Sequence, residues 1–219
     1  MINRSAKLLY YGLLSGPMRA NAFLYRQFRQ NGSSIKAHLG CGQKNYLAGW
    51  VNVDANFLTA KIDLWANLEH GLPFGDTSVE KIYSFHVIEH LPDSTLADHF
   101  REMYRVLIPG GMIRVGGPHI DNACLKLIEG DKKWFPEFPD KHDSIGGKFT
   151  NFVFCRNEHL TALTRSYLQE LALGAGFKDL HFCAPVAETV YFDQDVLTTE
   201  YEDDPVCPHS ILLEARKPE

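Results

Sequence analysis

Short apolar runs that end at glycine or at a carboxylate alternate along this chain with longer stretches whose apolar residues recur roughly every three to four positions. Ile35 to Leu39, polar only at Lys36 and His38, predicts a first strand and runs into Gly40-Cys41-Gly42. Val51 to Asp54 predicts a second, ending in a carboxylate. Thr59 to Leu64 reads as a third strand that ends near Asp63, Lys81 to Phe85 as a fourth, and Met112 to Val115 as a fifth with Gly116-Gly117-Pro118-His119 at its carboxyl end. The stretch from Trp65 to Glu80 carries Gly71, Pro73, Gly75 and Asp76, and no helix fits it well.

Helical periodicity fills the gaps between strands. Pro92-Asp93-Ser94 opens a helix whose Leu96, Phe100, Met103, Tyr104 and Leu107 form one stripe, with Pro109-Gly110-Gly111 as its end. Leu160, Leu163, Tyr167, Leu168 and Leu171 mark another, closed by Gly174 and Gly176. Lys178 to Ala184 and Ser210 to Ala215 form a last pair of strands, joined by an acidic excursion from Asp193 to Asp204. At the amino end the run from Lys7 to Leu14 is too short to span a bilayer and is broken at Gly16-Pro17. A second helical stretch, Pro17 to Gln30, sets Met18, Ala22, Leu24, Tyr25 and Phe28 among three arginines. The reading adopted is a helical cap over residues 1–32 rather than a membrane-surface anchor. Asn31-Gly32-Ser33-Ser34 is the turn that separates it from the first strand.

Two glycines one residue apart at a strand end let a backbone approach a ligand closely, and an acid at the end of the next strand suits the hydroxyls of a ribose. A dinucleotide site would need a third glycine, where Asn45 stands, and an acid about 20 residues on; Asp54 follows Gly40 by fourteen. That spacing leaves room for a turn or two of helix between the strands. Without a well-formed helix N-terminus little holds a pyrophosphate. NAD is disfavoured, and a ligand with a ribose but no phosphate is favoured.

These residues, together with Leu72-Pro73-Phe74, Phe85-His86-Val87-Ile88-Glu89-His90-Leu91, Leu107-Ile108-Pro109-Gly110-Gly111 and Gly176-Phe177, resemble in order and spacing the class I S-adenosylmethionine-dependent methyltransferases. The resemblance covers roughly residues 35 to 216. It implies a Rossmann-like α/β fold: a seven-stranded, mostly parallel sheet flanked by helices, with the last strand antiparallel. It also implies S-adenosylmethionine as the cofactor, with Gly40 and Gly42 under its methionine portion and Asp54 on its ribose. Asp63 and Leu64 match positions beside the adenine, and Phe85 and His86 the edge of the pocket. Where the family carries an acid two residues before the first glycine, His38 stands here, next in line to the loop that includes Cys41.

A chain of 219 residues with 45% apolar side chains suits one α/β domain, here residues 33–219 behind the cap. Residues 121–159 depart from the alternating pattern, with Trp134, Phe135, Phe138 and paired prolines, and read as a lid or substrate wall. A net charge of -5 offers no basic footprint, so no nucleic-acid partner is expected. Five scattered cysteines without a C-x-x-C give neither a zinc cluster nor a disulfide framework, and a reducing cytoplasm fits them best. A small residue at Cys41 is sterically convenient in the loop and is not read as a nucleophile.

Methyl transfer from a sulfonium demands orientation and water exclusion more than acid–base groups. His119 is the expected base, because ligands bind outside the carboxyl ends of the strands; His86, Asp121 and His159 are its rivals. His86-x-x-Glu89-His90 also has a metal-ligand spacing, but the reading adopted is a braced strand-to-helix junction, with no metal. The sequence therefore predicts a methyltransferase acting on an O or N atom of a small molecule, such as a sugar or another metabolite. Monomer and homodimer both stay open. The competing readings are a methyltransferase-like binding or scaffold protein that has lost turnover and, less favoured, a dinucleotide oxidoreductase.

Overall fold

A computed structural model describes residues 4–28 and 35–219. Its centre is a seven-stranded sheet in the order β3-β2-β1-β4-β5-β7-β6. The strands are β1 (Ile35–Leu39), β2 (Val51–Asp54), β3 (Leu64–Trp65), β4 (Val79–Phe85), β5 (Leu107–Pro118), β6 (Lys178–Cys183) and β7 (Ser210–Arg216). The helices are α1 (Arg4–Phe28), α2 (Asp93–Val106), α3 (Ile120–Glu129), α4 (Ile145–Phe154) and α5 (Arg165–Ala175). Strands β1 to β5 pair in parallel, and β7 runs antiparallel to both of its neighbours. This is the Rossmann-like architecture that the resemblance implies.

Side chains that alternate across a pleated strand send the two halves of each strand into different layers. On one face Ile82, Ile113, Val115 and Leu213 join Leu96, Phe100 and Met103 of α2 and Leu168 and Leu171 of α5 in the main core. On the other, Tyr83, Phe85 and Leu212 pack against Trp50, Phe192, Val196 and Leu197. No long helix covers that second face among the described residues; the acidic excursion does. It is tied down by Arg114 of β5, whose guanidinium reaches Glu200 of the excursion at 2.7 Å and Glu214 of β7 at 2.6 Å, all three side chains being fully buried. A bidentate arginine between two carboxylates is the arrangement that makes buried charge tolerable.

Several elements differ from their sequence signals. The helix α1 is continuous through Pro17 rather than broken at Gly16-Pro17. Tertiary contacts outweigh the lost backbone bond: Met18 is buried, Tyr10 donates to the carbonyl of Ala55, Asn21 to that of Trp65 and Arg26 to that of Leu72. Residues 40–50 between β1 and β2 contain no helical turn. The third strand begins only at Leu64, because the backbone before it is held in a loop by its own side chains: Asn56 Nδ2 donates to Thr59, and Asp63 accepts from Asn52. Pro109-Gly110-Gly111 does not close a helix; α2 ends at Val106, and β5 runs through the triplet with a register shift opposite β4. Leu160 and Leu163 lie ahead of α5, whose start is fixed by Thr164 accepting from the Tyr167 N–H. The turn assigned to Asn31-Gly32-Ser33-Ser34, and both ends of the cap read over residues 1–32, lie outside the described residues.

Candidate functional site

The carboxyl ends of β1, β2 and β4 open into a cavity of about 490 Å³. Gly40, Gly42, Asp54 and His86 line it, and so do Ala66, Asn67 and Leu68 after β3, Val87 and Leu91 after β4, and Tyr11 of α1. The glycine requirement is physical. Gly40 has φ of 70°, and a Cβ there would lie 2.3 Å from a methyl of Val87 and 3.1 Å from the Val87 Cβ, so backbone and packing both refuse a side chain. Gly42, at φ of 59°, faces open space. The loop is pinned to the second strand through Asp54, which accepts from the Gly42 N–H at 2.9 Å and the Asn56 N–H at 2.8 Å.

The other expected cofactor contacts fall behind this cavity rather than on its wall. His38 is buried, donates from Nδ1 to Asn52 Oδ1 at 3.0 Å and packs on Tyr83. Burial lowers its pKa to about 4, so it is neutral. Asp63 accepts from the Asn52 backbone and side chain and from the Tyr46 hydroxyl. Partial burial would raise its pKa, but these bonds outweigh that and hold it low. The position is a brace for the 40–50 loop. Cys41 is buried with its thiol toward the carbonyl of Lys61, and burial pushes its pKa up to about 12, which removes it as a nucleophile. Leu64 is core, and Phe85 belongs to the layer beneath the acidic excursion.

His86 is the pivot of the site. Its backbone is left-handed, at φ of 55°, a conformation that non-glycine residues hold only where surroundings over-determine it. Those surroundings are a His86 N–H bond to the carbonyl of Gly116, a stack on Tyr201 at 5.1 Å, and partners on both ring nitrogens. Nδ1 lies 3.1 Å from Glu89 Oε1, and Nε2 lies 3.0 Å from the Ser210 hydroxyl. Since a carboxylate oxygen accepts, this network assigns the proton to Nδ1 and makes Nε2 the acceptor.

Beyond His86 lies a second cavity, about 730 Å³, walled in part by the stretch that the sequence marks as a lid or substrate wall. Its walls are Trp134, Phe138 and Phe152 from residues 121–159, Tyr201, Glu202 and Asp203 from the acidic excursion, and His209 and Ser210 at the start of β7. Trp134 donates to the carbonyl of Cys207 at 2.7 Å and stacks on His209 at 4.3 Å. His209 Nδ1 lies 2.8 Å from Glu202, which also accepts from the N–H groups of Asp203, Asp204 and Ser210. Burial alone would raise the Glu202 pKa, but the His209 and backbone bonds bring it down to about 2. No local motif announces this pocket, because its residues come from segments some seventy positions apart.

His119 lines neither cavity. Its Nδ1 accepts, at 3.4 Å, from the Asn122 N–H as the cap of α3, and burial lowers its pKa. The residue that follows β5 serves the next helix, and the histidine between the cavities is His86.

A sheet in this order, with its last strand reversed, a glycine loop after β1 and an acid closing β2, is a Rossmann-like fold shared with solved S-adenosylmethionine-dependent methyltransferases. Residues 38–115, which contain the loop, Asp54 and the His86–His90 turn, match the family model described as a methyltransferase domain. The solved structures agree. A SAM-dependent methyltransferase from Archaeoglobus fulgidus aligns over 95% of this chain and 100% of its own at a TM-score of 0.53 and 15% identity. A possible histamine N-methyltransferase from Thermotoga maritima aligns over 97% and 96% at a TM-score of 0.53 and 14% identity. Phosphoethanolamine N-methyltransferase 2 of Haemonchus contortus, in complex with S-adenosyl-L-methionine, aligns over 91% of this chain at a TM-score of 0.52 and 14% identity. This chain spans 53% of the Haemonchus protein's length. At these identities the likeness is one of fold. No curated protein sequence matches the chain.

Proposed function

We propose that the protein transfers a methyl group from S-adenosylmethionine to an O or N atom of a small molecule, with the cofactor in the first cavity and the acceptor in the second. The observation that carries this reading is that His86 forms a wall of both. The glycine loop and Asp54 fit the group: the open space over Gly42 admits a methionine tail, and a carboxylate that lines the cavity can accept from ribose hydroxyls. His38 lies off the cavity wall, so its replacement of the family's acid leaves this surface intact.

When bound, the cofactor supplies an electrophilic methyl group on sulfur. The chain's own residues hold and exclude. Asp54 orients the ribose, Leu68 and Leu91 give an apolar wall, and Tyr11 closes the mouth from α1. Residues 121–159 act as the lid through Trp134, Phe138 and Phe152. Holding both ring nitrogens of His86 fixes a rigid partition and leaves it no free lone pair, so no proton transfer is assigned to it. Among the described residues no helix is long and apolar enough to cross a membrane. With its cysteines free of disulfides, the protein is assigned to the cytoplasm as a monomer or homodimer.

Calorimetry with S-adenosylhomocysteine tests the reading. Wild-type protein binds it, and Asp54→Ala weakens binding at least about tenfold, the loss of more than one charge-assisted hydrogen bond. Absence of heat with the wild type, or an unchanged affinity in Asp54→Ala, removes the cofactor assignment.

A further inference from the structure

The turn after β4 gathers three groups that the assignment of the cavities leaves unused. Glu89 is 1% exposed, yet its Oε2 has no hydrogen-bond partner. Its Oε1 accepts from His86 and lies 3.9 Å from His90 Nε2. A buried carboxylate oxygen without a donor is costly, and such an orphan asks for a cation.

Two imidazoles lie beside the Glu89 carboxylate, already set to ligate. His90 Nδ1 is 2.8 Å from the carbonyl of Glu158, and His159 Nδ1 is 3.1 Å from the carbonyl of Val153. A carbonyl only accepts, so each Nδ1 carries a hydrogen and the ligating position of each ring is Nε2. A histidine whose second nitrogen donates to a backbone carbonyl is the usual support of a metal ligand. The rings meet edge to face at 5.0 Å, and one ligand atom from each of Glu89, His90 and His159 falls within 4.8 Å of the others. The segments that carry them are joined by backbone: the N–H groups of Leu160 and Thr161 both donate to the carbonyl of Glu89, at 2.7 and 3.1 Å. Space for the carboxylate is made by Gly117, where a Cβ would sit 2.8 Å from Oε2.

We propose that Glu89, His90 and His159 bind a divalent transition-metal ion, with His86 holding the carboxylate in place from behind. Two imidazoles and one carboxylate select Zn²⁺, Co²⁺, Mn²⁺ or Fe²⁺ over Mg²⁺ and leave coordination positions open. His90 lines the first cavity and His159 the second, which sets the ion at the partition between them. Binding of the ion stands on these residues alone. Its use as a Lewis acid toward an acceptor oxygen rests on the methyltransferase reading.

The test is titration of untagged full-length protein with Co²⁺, followed by calorimetry and visible absorption, with S-adenosylhomocysteine affinity measured in parallel. One equivalent of Co²⁺ binds with ligand-field bands, and His159→Ala and Glu89→Gln each weaken it at least about tenfold, while exposed His142→Gln leaves it unchanged. His90→Gln, at a half-exposed position, gives the same loss should either of those variants unfold by circular dichroism. Substoichiometric uptake, or uptake that survives these changes, overturns the site. Failure of Co²⁺ with S-adenosylhomocysteine bound removes the metal alone; Co²⁺ uptake without S-adenosylhomocysteine binding removes the cofactor assignment alone.

Discussion

The two cavities that share His86 are built by different means. The first stands on strand ends close in sequence: β1, β2 and β4 deliver Gly40, Gly42, Asp54 and His86, and short backbone bonds fix them. The second is assembled from a helical insertion, an acidic excursion and the start of β7. It is held by a few polar ties, chiefly Arg114 to Glu200 and His209 to Glu202 and Trp134. A site on a rigid sheet edge preserves one cofactor geometry, whereas one made of insertions can change its acceptor without disturbing the sheet.

The largest effect that should separate the two regions comes from Arg114→Met. It strands two buried carboxylates, and breaking such a network costs about 3–5 kcal/mol. Melting temperature should fall by roughly 10 °C, and protease should cut first in the excursion, residues 193–204. A shift under about 2 °C would show that the excursion is held by packing alone.

Titration separates the regions next. His38 behind the first cavity and His99 on α2 have pKa values lowered to about 4 by burial, and His99 Nε2 has no partner. Both regain an ordinary pKa near 6.5 on unfolding. The unfolded chain therefore binds more protons between pH 6.5 and 4, and stability falls as pH is lowered through that window. His209 at the second cavity runs the other way. Burial alone would lower its pKa, but Glu202 and the carbonyl of Trp134 raise it, so its contribution is complete below pH 6.5 and is lost as pH rises through the folded value. His99→Leu should remove roughly 2 kcal/mol of the loss between pH 7 and pH 5 in urea melts; an unchanged slope would mean that water reaches the ring.

Phe138→Ala should show the smallest effect and the sharpest separation. Phe138 is exposed and lines only the second cavity. Stability should change by less than about 1 kcal/mol and S-adenosylhomocysteine affinity less than twofold, while turnover across a panel of hydroxyl and amine acceptors drops. A matching loss of cofactor affinity would mean that the cavities are one site.

The same contrast explains what the sequence disclosed. The glycine loop, Asp54, the β4–β5 pair and the α2 stripe were legible because their signals are local: a strained turn, a strand-end acid, a helical period. Misreadings arose where a distant partner decides the outcome. Pro17 sits inside a helix because Ala55, Trp65 and Leu72 hold that helix from outside. Asp63 and His38 bond to Asn52, and His119 caps the start of α3, partners that no local pattern announces. The second cavity has no local signature, since Trp134, Glu202 and His209 meet only after the sheet closes.

A crystal structure with S-adenosylhomocysteine bound decides where the cofactor sits. Adenosine should lie between Asp54 and residues 66–68, its ribose hydroxyls within hydrogen-bond distance of the Asp54 carboxylate, and the sulfur should point past His86 toward the second cavity. Density for the ligand in the second cavity, or an Asp54 carboxylate engaged only with Gly42 and Asn56, would contradict that placement.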